Sequence, residues 1–160
     1  MDSGRYRKTM GQFATGITVV FTMGGSGPHG MTVNSLTSVS LDPPLILFCV
    51  DNHARTRHAV GPGERFTVSI LRQEQESLSR LFADPATPDS VVDRLPIRTV
   101  TAGMPILRDA LAYLDCVVDA LYPGGDHQIV VGRVEDFDVL NHGNPLVYFS
   151  GRYYTARNGE

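Results

Sequence analysis

Glycine and proline punctuate this chain from end to end, with 16 Gly and 10 Pro among 160 residues. Both disfavour helix interiors, and Pro also disfavours central strands, so 26 such positions argue against a helical bundle. The runs between them are rich in β-branched and aromatic residues. A length of 160 suits one domain, 1–160 with its core at about 10–154, and excludes a nucleotide-binding domain followed by a separate substrate domain. Hydrophobic residues make up 42% and charged residues 19%, as in ordinary globular proteins, and no apolar run approaches the ~18 residues of a membrane helix. No membrane association is expected. The formal charge of −3 comes from scattered residues, so no nucleic-acid partner is expected either. Cys49 and Cys116 form no CxxC pair and no apolar leader follows Met1, which points to the cytoplasm with both thiols reduced.

Spacing of Tyr6, Met10 and Phe13 predicts a short amphipathic helix over 6–14. Residues 17–22 read as a strand, 24–30 as a hairpin-type connection, and 31–40 as one bulged strand that stops at Asp42-Pro43-Pro44. The apolar run 45–50 reads as a strand buried on both faces. A polar turn at 51–56 leads into a short helix ended by Gly61-Pro62-Gly63; 66–71 is a strand, 73–83 a helix, and the Pro85 and Pro88 region a loop. Runs 111–121 and 129–140 flank residues 122–127 as a long hairpin, and a last strand at 146–149 leads to Tyr153-Tyr154. About seven strands, three short helices and no βαβ alternation predict a mainly antiparallel barrel decorated by helices.

Gly25, Gly27 and Gly30 spell GxGxxG, with Asp51 21 residues beyond Gly30. In a dinucleotide-binding unit the third Gly opens a helix whose N–H groups meet the pyrophosphate, whereas Gly30 opens a β-rich stretch. The glycines are therefore assigned to a hairpin. The five histidines form no HxxxH or HExxH pair, so no metal site is predicted, and neither GxSxG nor GxxxxGK[ST] occurs. Two constellations remain. Thr32, Asn34, Ser35, Thr37 and Ser38 crowd a bending strand that could lie against a planar polar ligand, although a hydroxyl-rich edge strand would look the same. Gly124, Gly125, Asp126 and His127 present an imidazole from a hairpin end, although such a His often does no more than sit at the surface.

The order of segments 13–20, 30–35, Ser38 to Leu45 (SVSLDPPL), 49–50, 78–83, Gly125-Asp126-His127, 132–134 and 148–153 resembles the short-chain flavin reductases, the reductase components of two-component flavin-dependent monooxygenases. The resemblance spans roughly residues 10–154. It implies an FMN-binding split β-barrel, antiparallel and Greek-key-like, that forms a homodimer and binds FMN or FAD near the subunit interface. It also implies hydride transfer from NADH, or NADPH, and delivery of reduced flavin to a partner monooxygenase. Carried over position by position, Thr32, Val33, Asn34 and Ser35 border the flavin ring and ribityl chain. Cys49, Val50 and Asp51 end the neighbouring strand. Asn52, Arg55 and Thr56 belong to the phosphate turn, where His53 and Ala54 stand in place of the family's usual serines. Phe82 and Ala83 lie near flavin and nicotinamide; His127, Tyr148 and Tyr153 lie near the nicotinamide dinucleotide, with His127 the catalytic candidate. Such chemistry needs no protein nucleophile, because the cofactors carry it and the protein aligns them. A non-catalytic flavin- or haem-binding module, an oxidase of the pyridoxamine-phosphate type and a non-redox ligand-binding barrel are the alternatives.

Overall fold

A computed structural model describes residues 2–156; residue 1 and residues 157–160, the ends of the expected 1–160 domain, lie outside it. Helix α1 (Ser3–Met10) begins before the expected start because Asp2 caps it, Oδ1 accepting from the amides of Gly4 at 2.9 Å and Arg5 at 3.1 Å. No residue of α1 is buried, so its apolar stripe meets no core.

The strands are β1 (Thr15–Gly16), β2 (Thr18–Gly24), β3 (Gly27–Val33), β4 (Thr37–Leu41), β5 (Pro44–Asp51), β6 (Arg65–Ile70), β7 (Ile97–Thr99), β8 (Pro105–Leu107), β9 (Ala112–Gly124), β10 (His127–Val139), β11 (Leu146–Phe149) and β12 (Arg152–Thr155). Seven of them form one antiparallel sheet in the order β3-β2-β6-β9-β10-β5-β4, with smaller sheets β1-β11-β12 and β7-β8. Laid flat, seven strands would separate the sheet edges by about 29 Å, yet four residue steps join Val33 of β3 to Thr37 of β4 and reach only about 14 Å. The sheet must therefore roll up, with its edges meeting at Asn34, Ser35 and Leu36. Among the described residues no ladder joins β3 to β4. The result is mainly antiparallel β with a few short helices, as expected.

Several local expectations change. The connection predicted over 24–30 contracts to Gly25 and Ser26, because Gly24 pairs with Gly27 and β3 already contains Pro28, His29 and Gly30. The single bulged strand predicted over 31–40 is two strands, since β3 pairs with β2 and β4 with β5; a bulge remains between Ser38 and Ser40. The predicted helix over 73–83 is a 3₁₀ turn (Gln73–Gln75) followed by α2 (Glu76–Ala83). The expected proline-rich loop continues into a 3₁₀ helix (Asp89–Arg94) and the β7-β8 pair.

Two cores share the sheet. Inside the roll pack Val20, Phe48, Phe66, Val68 and Val130; outside it Val19, Phe21, Phe82, Val92, Leu107 and Leu146 form a second cluster. Strand β2 serves both, and every residue from Thr18 to Thr22 is buried. Strand β5 does not match the expected two-faced burial: Ile46, Phe48 and Val50 are buried, while Leu45, Leu47 and Cys49 are half-buried. Phe82 of α2 covers the outer face of β2 and meets Phe21 edge-on with ring centroids 5.3 Å apart. Gly30 makes this packing possible, because a methyl group there would overlap the Phe82 ring.

Candidate functional site

The C-terminal end of α2 lies over the junction of the two sheet edges. Between Phe82 and Ala83 on one side and Gly30, Asp51 and Thr56 on the other opens a cleft of about 420 Å³. Ala83 also lines a smaller groove with Thr32, Asn34, Tyr148 and Tyr153. Asn34 and Tyr148 in turn line a wider groove of about 770 Å³ with Ser35 and α1. The three grooves therefore adjoin one another, in sequence from the 51–56 turn to the N-terminal helix.

Most candidate residues meet along these grooves, but their side chains are used differently from expectation. The Thr32 hydroxyl donates to the Ser79 carbonyl oxygen at 2.6 Å, and the Ser79 hydroxyl lies 2.8 Å from the Tyr153 hydroxyl, so β3, α2 and β12 are tied together. The Ser35 hydroxyl accepts from the Cys49 amide at 2.9 Å. Both hydroxyls are thereby engaged within the protein. Among the described residues, the amides of Asn34, Ser35 and Leu36 donate to no other protein group. Val33 and Val50 are 5% and 1% exposed within the inner core and line none of these grooves.

Asp51 ends β5 and organises the turn that follows. Its Oδ1 accepts from the His53 amide at 2.7 Å, and the Asn52 amide donates to the Asp126 carbonyl at 3.0 Å. The Asn52 side chain donates to the Gly125 carbonyl at 3.2 Å. The turn is thus fastened to the β9-β10 hairpin rather than free to wrap a ligand with Asn52. Thr56 is 1% exposed, and its hydroxyl has no protein partner. Arg55 lines the cleft with its guanidinium already donating to Asp89 at 3.3 Å and to the Thr87 carbonyl at 2.7 Å.

His127 opens β10 opposite Asp51, with Nδ1 2.7 Å from Asp126 Oδ1, an arrangement that holds the Asp126 carboxyl below its usual range. It stands outside the linings of the three grooves described above. Among the described residues no three His, Cys, Asp or Glu side chains cluster as metal ligands do.

The flavin reductase like domain profile matches residues 10–157. The chain belongs to the flavin reductase-like family. Over 136 residues this flavin reductase-like chain is 43% identical to an NADH-dependent FAD reductase of Streptomyces globisporus, covering 83% of the chain and 74% of that protein. It is 38% identical over 148 residues to the reductase component of 4-hydroxyphenylacetate 3-monooxygenase of Thermus thermophilus, covering 92% and 93%. Among solved structures, BorF, the flavin reductase component of a bacterial two-component tryptophan halogenase, superposes with a TM-score of 0.90 at 39% identity, covering 99% of this chain and 100% of that one. The Streptomyces globisporus NADH:FAD oxidoreductase SgcE6, in complex with NAD and FAD fragments, gives 0.87 at 38% identity, covering 96% and 92%.

Two residues of this flavin reductase-like site had no counterpart among the sequence candidates. His29 lines the first cleft, inside the stretch assigned to a hairpin connection, and Asp89 joins it from a segment read as loop. Neither has a local signal. Their meeting depends on how the 3₁₀ helix (Asp89–Arg94) packs on β3.

Proposed function

We propose that this protein is an NADH:flavin oxidoreductase that reduces a dissociable flavin and supplies it to a partner monooxygenase. The observation that carries this reading is the row of adjoining grooves in a flavin reductase-like chain, with different kinds of unmet donor at its two ends. Three successive amides, Asn34 to Leu36, belong to residues lining one groove and are open to an acceptor, and the Thr56 hydroxyl, buried without a protein partner, belongs to a residue lining another. A buried polar group without a partner is rare and calls for a ligand or water. A flavin suits both, having an acceptor-rich ring edge and a phosphate.

When bound, the two cofactors supply the redox chemistry, a hydride passing from nicotinamide C4 to flavin N5. The chain's own residues orient and polarise. Amides at Asn34 and Ser35 would stabilise negative charge on the ring edge, since N–H dipoles fixed in advance cost little to reorganise. Phe82 and Ala83 wall the central cleft, and Tyr148 and Tyr153, packed edge-on with centroids 5.3 Å apart, wall its neighbour. Thr56 and Arg55 would hold the phosphate. His127 would position the nicotinamide from the hairpin end without an obligatory proton transfer.

Both FMN and FAD fit this reading, as does NADPH in place of NADH. Residues 1–160 are read as one split-barrel domain, acting in the cytoplasm with Cys49 and Cys116 as free thiols. A homodimer would cover the outer face of β5, where Leu45 and Leu47 are half-buried, and the nearby Leu41, which is 92% exposed. Light scattering of the purified protein tests this, a monomer with flavin bound being contrary. Purified protein mixed with NADH and either flavin should oxidise NADH at 340 nm in a flavin-dependent way; flavin binding without oxidation would leave a binding module.

A further inference from the structure

His29 and Arg55 line both the first cleft and a second of about 450 Å³, whereas Asp89 lines only the second. The carboxylate is thus absent from the lining of the first cleft, to which both of its partners belong. Asp89 Oδ1 lies 2.7 Å from His29 Nδ1 and accepts from Arg55 Nη1 at 3.3 Å, while Oδ2 accepts from the Ser26 hydroxyl at 3.1 Å. The Thr87 carbonyl accepts from Arg55 Nη2 at 2.7 Å and fixes the other arm of the fork.

This wiring leaves specific donors free. With Nδ1 donating to Asp89, His29 offers Nε2–H to another partner in its imidazolium form, and Arg55 keeps Nε and one hydrogen on each terminal nitrogen. The His29 and Asp89 side chains are 16% and 22% exposed, so water screens their contact less than it would a surface pair. The bond to His29 holds the Asp89 carboxyl below its usual range. The 51–56 turn itself contributes one hydroxyl, Thr56.

We propose that Asp89 is a positioning residue that holds His29 and Arg55 as an anion-binding pair for the phosphate of the bound flavin. The inference rests on the flavin reading of the first cleft. It adds His29 as a phosphate contact and assigns Asp89 a role carried entirely through its two neighbours. A carboxylate lining the cleft would compete with phosphate; Asp89, outside that lining, preorganises the donors instead.

The test is equilibrium binding of riboflavin and FMN, followed by flavin fluorescence, to wild type, Asp89→Asn and His29→Gln. The wild type should bind both flavins. Each variant should weaken FMN binding about tenfold, the loss expected for one charge-assisted contact, and leave riboflavin within about twofold. Equal losses for the two flavins would mean a general distortion of the cleft and would overturn the proposal. So would an FMN affinity that is unchanged or tightened. If Asp89→Asn fails to fold by circular dichroism, His29→Gln reads the same split. Wild-type protein that binds neither flavin overturns the flavin reading of the cleft and this inference with it.

Discussion

His127 faces Asp51 across the β5-β10 ladder, so the histidine of the hairpin end and the residue that starts the 51–56 turn occupy one register position. The Asn52 bonds to Asp126 and Gly125 lock these two features together. In the proposed function, a nicotinamide positioned by His127 would share a backbone frame with the flavin phosphate. His127→Ala should raise the KM for NADH or lower kcat by about tenfold while leaving flavin affinity unchanged. Steady-state kinetics in NADH, paired with flavin titration, checks this; unchanged KM and kcat would remove His127 from the site.

Thr56→Val should separate folding from binding. The wild-type hydroxyl is buried without a protein partner, so an isosteric methyl should raise stability by about 1 kcal/mol. The same change should weaken FMN about tenfold, because a phosphate donor is lost. Denaturant melts and FMN titrations should thus move in opposite directions.

Gly30→Ala tests the close packing of α2 on β3. The added methyl would overlap the Phe82 ring and press on Phe21, and overpacking of this kind costs about 2 kcal/mol. Since Phe82 also walls the cleft, flavin affinity should fall together with Tm in the same protein.

Tyr113 gives a pH signature away from the site. Its hydroxyl donates to Asp136 Oδ2 at 2.7 Å, and that bond, reinforced by burial, raises its pKa from the ordinary 10.0 to about 12. A raised phenol pKa favours the folded state fully below pH 10. Between about 10 and 12 the unfolded chain ionises and the folded chain does not, so the contribution is lost as pH rises. The stability difference between wild type and Tyr113→Phe should therefore be greatest below pH 10 and vanish near pH 12, as read from melts across that range.

Much of the fold was legible in local pattern. The β-branched runs of β2 and β6 and the long β9-β10 hairpin announce themselves, because propensity and turn chemistry agree there. What failed depended on partners distant in sequence. Residues 31–40 look like one strand until β2 and β5 compete for its two halves, and the apolar 45–50 run shows what a strand could bury without showing what covers it. In the site, Thr32, Asn34 and Tyr148 line one groove, with Ser35 and Phe82 in the grooves on either side. The engagement of the Thr32 and Ser35 hydroxyls within the protein, and the meeting of His29 with Asp89, belong to tertiary packing alone.

Oxidation of NADH at 340 nm, followed with and without added flavin, addresses the assignment most directly. The account predicts negligible oxidation without flavin and a saturable rate upon addition of FMN or FAD, with reduced flavin accumulating under anaerobic conditions. A purified, folded protein that shows no flavin-dependent oxidation of NADH would contradict it.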